Sequence, residues 1–470
     1  MRIGSLIIPV LVAAGAACGA NPPAQAPAQP VAEMVEPPQL DKTPGDFLPK
    51  EPYPSSSLSG FYHEIPPHLE KAVRYAAEDN YSSSTALLLE ELKKATDTKE
   101  KARILMWLGV TQAQEALDYD AASGWYGVAT SATKHLREAI KLDPEVFKAP
   151  DVARALGQMV GSGWAPETPE SEIEKAEKKA QAEKSAIDYY YAGAILRRLT
   201  QRSWEYSDTR DEDERTLGFL ARSIVMEPTR YETWPLYIGA LLRLQMFDVV
   251  TSDGEKMYQY FRKLRAPLFA DQGPAALYLR TRGNIPREVA EEFLNELRKE
   301  DPTDPFPPFA LAQIAMGADL DSGTTPTRSI KMFEDFLEAV EKGEIKLLPR
   351  EQGYRISALY KLGYLYMQAG DPETALKIYQ RIQEINPKYA ETDYNIAETY
   401  LALAERETTS PLKVELLEKG REAARRQTDN DYRNQAALRA DEMRRRLSSM
   451  ARRGRAELKA MEEKKAQSGN

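Results

Sequence analysis

The residue types that most often carry chemistry are scarce in this chain of 470 residues. It has three histidines and one cysteine, too few for a zinc site, a disulfide framework or a thiol nucleophile with its base. His63 and His68 fall in the stretch FYHEIPPHLE, and His135 stands alone in a helical segment. His63, Glu64 and His68 are metal-ligand types, but Pro66-Pro67 breaks the helical face that a paired ligand site would use. The histidines therefore read as surface residues, and no metal or cofactor is expected. No glycine loop ends in Lys-Ser or Lys-Thr to cradle a phosphate, and neither a GxSxG elbow nor a GxGxxG after a strand is present. Carboxylates are plentiful, but nothing singles out two of them as an acid–base pair. Residues 165–186 and 317–327 hold several acids without the spacing of a calcium loop. These absences leave no catalytic residue to nominate and no small-molecule substrate to expect.

What remains is the class of protein that works by surface. There are 63 Lys+Arg against 72 Asp+Glu, a formal net charge of -9, which argues against a nucleic-acid partner. Hydrophobic residues make up 42%, enough for a packed core. Beyond the N-terminus no apolar run reaches the length of a membrane span.

Residues 1–17 have one positive charge at Arg2, an apolar stretch from Ile3 to Val12 and then small residues, the layout of a secretory signal peptide. Cys18 follows directly after Ala16 and Ala17. This resembles the lipobox of bacterial lipoproteins, where cleavage precedes a cysteine that receives a diacylglyceryl group. The resemblance implies a membrane partner through an N-terminal lipid anchor, since several acyl chains hold a protein on a bilayer. The other reading is cleavage within Ala14-Gly15-Ala16, which leaves a soluble periplasmic protein. No Asp stands directly after Cys18, which resembles an outer-membrane address facing the periplasm. Residues 18–59 then form a Pro-rich tether: ten prolines fall between Asn21 and Pro54, fixing φ and removing donors. A ligand for another module is the alternative use of such a stretch.

Past residue 60, long helical-period segments alternate with short breaks and no strand pattern is evident. The clearest unit runs from Ile356 to Tyr389. Within it Leu359, Leu362, Gly363, Tyr366, Ala375, Tyr379, Ile382 and Pro387 stand at fixed spacing. Gly363 and Ala375 are small enough for two antiparallel helices to cross closely, while Leu362, Tyr366 and Tyr379 fill the seam. Gly370-Asp371-Pro372 is the turn, and Asn386-Pro387 ends the second helix. This unit resembles a tetratricopeptide repeat. Acid-Pro or Asn-Pro steps recur at Asp143-Pro144, Glu227-Pro228, Asp301-Pro302 and Asn386-Pro387. Their separation fits pairs of repeats plus insertions. The expected fold is all-α, a TPR-like α-solenoid of roughly eight to ten helical hairpins.

The expected organisation is N-terminal TPR-like helices over 60–164, a charged hinge or exposed helix over 165–186, central TPR-like helices over 187–302, a C-terminal TPR array over 303–433 and a basic C-terminal helix over 434–470. Residues 317–327 read as a surface loop. In Tyr189-Tyr190-Tyr191 at least one ring must be core, because successive helical residues point about 100° apart. From Pro411 to Asn470 the net charge is +6. That end is either a cap over the last apolar face or a docking helix for an acidic partner or lipid.

Tetratricopeptide repeats present a concave surface made by the first helix of each hairpin. By that resemblance the peptide-binding groove comprises Ser357, Tyr360, Tyr364, Met367 and Gln368, then Glu391, Tyr394, Glu398 and Leu401 of the next unit. Tyrosines, a methionine and acids suit an extended or helical peptide with basic residues; the alternative is that these tyrosines pack on a neighbouring repeat. Bacterial lipoproteins of this kind include secretin pilotins, outer-membrane assembly subunits, peptidoglycan-hydrolase adaptors and parts of the myxobacterial gliding machinery. This chain resembles the last group in length and composition. The implied role is a non-enzymatic scaffold whose groove gathers envelope proteins.

Overall fold

The computed structural model describes residues 42–55, 60–118, 126–160, 169–202, 210–265, 273–283, 285–389, 391–430 and 435–468. Among them the regular elements are α-helices and short 3₁₀ turns, without a strand. The all-α class and the succession of helical hairpins expected from the sequence are both present. Cys18 and residues 1–17 lie outside the described residues.

The helices fall into two compact units. One comprises residues 1–64 and 143–286, the other 65–142 and 287–470. The second unit holds α1 (Pro67–Ala77), α2 (Tyr81–Lys94), α3 (Thr98–Asp118) and α4 (Tyr126–Leu142). The first unit then follows with α5 (Pro150–Val160), α6 (Pro169–Glu183), α7 (Ala186–Arg202), α8 (Arg210–Met226), α9 (Thr233–Arg243), α10 (Phe247–Phe261) and α11 (Pro274–Thr281). The chain then returns to the second unit for α12 (Arg287–Glu300), α13 (Phe306–Ser322), α14 (Thr327–Glu341) and α15 (Gly353–Gln368). It ends with α16 (Pro372–Ile385), α17 (Thr392–Arg406), α18 (Pro411–Asn430) and α19 (Gln435–Ser468).

The second unit is therefore discontinuous in sequence, where the spacing of prolines suggested successive blocks. Its two parts are joined by reciprocal asparagines: Asn386 Nδ2 donates to the Glu78 carbonyl at 3.0 Å, and Asn80 Nδ2 to the Ile385 carbonyl at 3.4 Å. These bonds satisfy carbonyls at the C-terminal ends of α1 and α16 that have no partner within their own helices. Gly353 opens α15 so close to α1 that a Cβ there would lie 2.6 Å from the Ala77 carbonyl oxygen. Beside them the Arg350 guanidinium sits 4.7 Å over the Trp107 ring, a cation–π contact.

Three local expectations change. The segment 165–186, expected as a charged hinge or exposed helix, contains helix α6, and one face of it is buried: Ile173, Ala176 and Ala180 form a stripe that packs with Tyr189, Ile195 and Phe219. Alanines supply that stripe, so a reading tuned to large apolar residues passes over it. Tyr190 and Tyr189 are both core, with Tyr191 at the edge. The stretch 317–327 is helical to Ser322, and Gly323 closes α13 with φ +64°, the left-handed turn that glycine adopts without strain. Finally, residues 42–55 are not an undocked tether. Pro44 and Gly45 are buried and the segment packs on α10.

Candidate functional site

The α15–α16 hairpin is built as its spacing predicts. Leu359, Leu362, Ala375, Tyr379 and Ile382 are buried. A Cβ on Gly363 would lie 2.7 Å from Tyr379 Cε1, so the small residue allows the crossing. The Gly370 turn has φ +75°, and Asp371 caps α16 by accepting from the Thr374 amide at 3.0 Å. Pro387 follows the helix and is exposed. Tyr366 differs from its neighbours. It lies at the edge of the seam, and its hydroxyl donates to Glu334 of α14. Burial and that carboxylate push its pKa up to about 12.

The nine groove residues divide. Ser357, Tyr364 and Met367 are half-buried on α15, with Gln368 exposed, and Glu398 is half-buried on α17. Tyr360 is consumed by packing: its ring meets Tyr379 at 6.2 Å and Tyr389 at 5.7 Å, and burial raises its pKa. Leu401 is 6% exposed and belongs to the core of α17, a correction to its placement in the groove. Tyr394 donates to Glu398 at 2.8 Å, one helical turn away. Burial first, then that carboxylate, push its phenol up to about 12.

Residues that the spacing did not nominate complete this face. Arg439, at the start of α19, ion-pairs with Glu391 and sits 5.2 Å over the Tyr394 ring. Met443, Leu447 and Ala451 of α19 are buried, and Leu447 Cδ1 would lie 3.3 Å from a Cβ on Gly420 of α18. The basic C-terminal helix thus covers α18 over its first half. Among the described residues from Arg455 to Gln467, only Leu458 is more than lightly shielded.

A second feature lies between α14 and α16. An open groove of about 510 Å³ has Leu337, Leu359, Leu362 and Ile378 in its lining, with Glu334 and Glu338 on the α14 side and Lys377 and Arg381 on the α16 side. Arg381 pairs with Glu341 across it. One buried charge stands apart. Lys361 on α15 is 6% exposed, and desolvation brings its ammonium pKa down to about 8.

The histidines take structural partners. His68 Nε2 is 2.8 Å from Glu100 Oε1, and His135 Nδ1 is 2.8 Å from Gln112 Oε1. Among the described residues no three His, Cys, Asp or Glu side chains group to hold a metal ion. No described helix is long and apolar enough to cross a membrane.

The tetratricopeptide repeat family matches residues 357–389, the hairpin just described. Among solved structures the chain is similar to yeast Tom70 at 13% identity, covering 82% of this chain and 82% of that one with a TM-score of 0.43. It is also similar to a tetratricopeptide repeat protein from Parabacteroides merdae, at 14% identity over 63% of this chain and 98% of that one, TM-score 0.33. A third likeness is to the APC/C hetero-tetramer Cut9-Hcn1, at 13% identity over 80% of this chain, TM-score 0.32; the chain spans 62% of that one. No curated protein matches.

Proposed function

We propose that this chain, which carries a tetratricopeptide repeat at 357–389, is a non-enzymatic scaffold that gathers protein partners in the bacterial envelope. The observation that carries the reading is the half-buried row Ser357, Tyr364 and Met367 beside Glu398. It lies on the first helices of two successive hairpins, where Met367 Sδ accepts from the Thr399 hydroxyl at 3.4 Å and Glu398 from Tyr394, and all four side chains keep part of their surface open. Aromatic and thioether surface with a carboxylate at its edge suits a peptide that brings apolar and basic side chains. Lipidation at Cys18 and an outer-membrane, periplasm-facing location follow from the lipobox resemblance of residues 1–18, and a gliding-motility or pilus-type machine is the complex that the chain's resemblances favour.

The test is an affinity pull-down from crosslinked membranes, comparing wild type with Tyr364→Ala/Glu398→Ala, and a Cys18→Ala variant fractionated in parallel. The reading requires a defined set of envelope proteins that the double variant loses, and release of the Cys18 variant from membranes. Retention of every partner by the double variant sinks the groove. Recovery of cell-wall hydrolases alone replaces the machine with an adaptor for those enzymes.

A further inference from the structure

The first unit holds a peptide that is its own. Residues 43–53 lie along α10 and are gripped at both ends. At the first end Thr43 donates through its hydroxyl to Asp253, a carboxylate with no exposed surface. Asp253 also accepts from the Tyr237 hydroxyl at 2.8 Å and from the Gly45 backbone amide. One turn further along α10, Lys256 Nζ reaches Asp46 Oδ1 at 2.6 Å and Thr43 Oγ1 at 3.4 Å. Asp46 closes the turn on itself by accepting from the Thr43 amide at 2.9 Å. Lys256 and the Thr43 donors hold its carboxyl below the usual range.

The site selects its occupant. Pro44 presets φ at the first position of the 3₁₀ turn. A Cβ on Gly45 would lie 2.6 Å from Asp253 Oδ1 and 2.9 Å from Lys256 Cδ, so a larger residue has to displace the two side chains that grip the turn. The hydroxyl at 43 and the carboxylate at 46 each have a dedicated partner. At the second end the Tyr53 amide donates to the Tyr260 carbonyl at 2.7 Å, an acceptor in the last turn of α10 that the helix leaves open. The Tyr53 ring rests 6.0 Å from Tyr260 and 5.6 Å from Phe261.

We propose that the α10 face of the first unit is a peptide-docking site for a hydroxyl-Pro-Gly-Asp turn followed by an aromatic residue, filled in cis by Thr43–Asp46 and Tyr53. This assignment is independent of the groove on α15 and α17.

The test uses the full chain. Gly45→Val unseats the segment while every α10 residue stays in place. Lys42 and Lys50 are exposed lysines flanking the turn, so trypsin cleavage at these bonds reads docking. Loss of the grip raises their cleavage rate on the order of tenfold, the factor attached to one charge-assisted hydrogen bond. A fluorescent peptide of residues 42–54 then binds Gly45→Val, whose site is vacated, and wild type binds it at least tenfold more weakly (about the same factor) because its site is filled. The peptide carrying Gly45→Val binds neither. If Gly45→Val lowers the helical circular dichroism, Asp46→Lys serves as the unseating variant, and adding Lys256→Glu to it restores protection. Equal cleavage in wild type and both unseated variants overturns the proposal. So does equal peptide binding by filled and vacated chains, or no binding to either.

Discussion

Lys361 gives the sharpest test of the packing around the repeat. It is 6% exposed, and among the described residues no carboxylate pairs with it. Desolvation takes its pKa from the ordinary 10.5 to about 8. At about 1.4 kcal/mol per pKa unit, the charged form costs the fold about 3 kcal/mol at pH 6.5. The sign follows from proton counting. Between pH 8 and 10.5 the unfolded chain holds the proton that the folded chain has lost, so stability rises with pH across that window. The cost falls to about 2 kcal/mol at pH 9. Lys361→Met keeps an unbranched side chain and removes the charge. It should raise the melting temperature of wild type by roughly 6 °C at pH 6.5, with a smaller gain at pH 9. Lys361→Arg keeps the charge and should gain nothing. Thermal denaturation followed by circular dichroism at the two pH values reads all three chains. A Lys361→Met chain no more stable than wild type, or a gain that does not shrink with pH, refutes the burial argument.

Other substitutions probe the fold and the site separately. Gly363→Val drives two methyl groups toward the Tyr379 ring and should cost about 1–3 kcal/mol in chemical denaturation, with little change if the helices do not cross there. Asn386→Ala leaves the Glu78 carbonyl without its side-chain donor; hydrogen exchange in α1 should quicken on the order of tenfold, while exchange in α10 stays unchanged. Arg439→Ala removes the cation over Tyr394 and the partner of Glu391. It should move the Tyr394 phenol's ultraviolet titration further up, because the cation favours the phenolate and its loss leaves burial and Glu398 unopposed; a fall would mean that Arg439 shields the ring from water.

The repeat at 357–389 was legible because its determinants are local. Gly363, Ala375 and Tyr379 meet within one hairpin, and a turn glycine, a capping acid and a proline mark its ends. The partial exposure of Tyr364, Met367 and Glu398 was legible, since helical spacing keeps them out of the buried stripe of their helices. Spacing alone does not say that Tyr360 is taken by Tyr379 and Tyr389 or that Leu401 is core, because those outcomes depend on how the next hairpin tilts. The discontinuous second unit was hidden for a related reason. Asn386 reads singly as a helix stop, and the bonds that it and Asn80 make to carbonyls some three hundred residues away leave no periodic trace. The docked segment 42–55 was masked by composition. Prolines signal extended chain, but Asp253 and Lys256, far along the sequence, decide whether it binds.

The central claim is that the face shared by α15 and α17 meets protein partners. A photo-crosslinking amino acid placed at Tyr364 in living cells tests it, with the same group at exposed Leu438 as the control. The account predicts discrete crosslinked protein bands from position 364 that position 438 does not produce. An empty lane at 364, or the same bands at both positions, would contradict it.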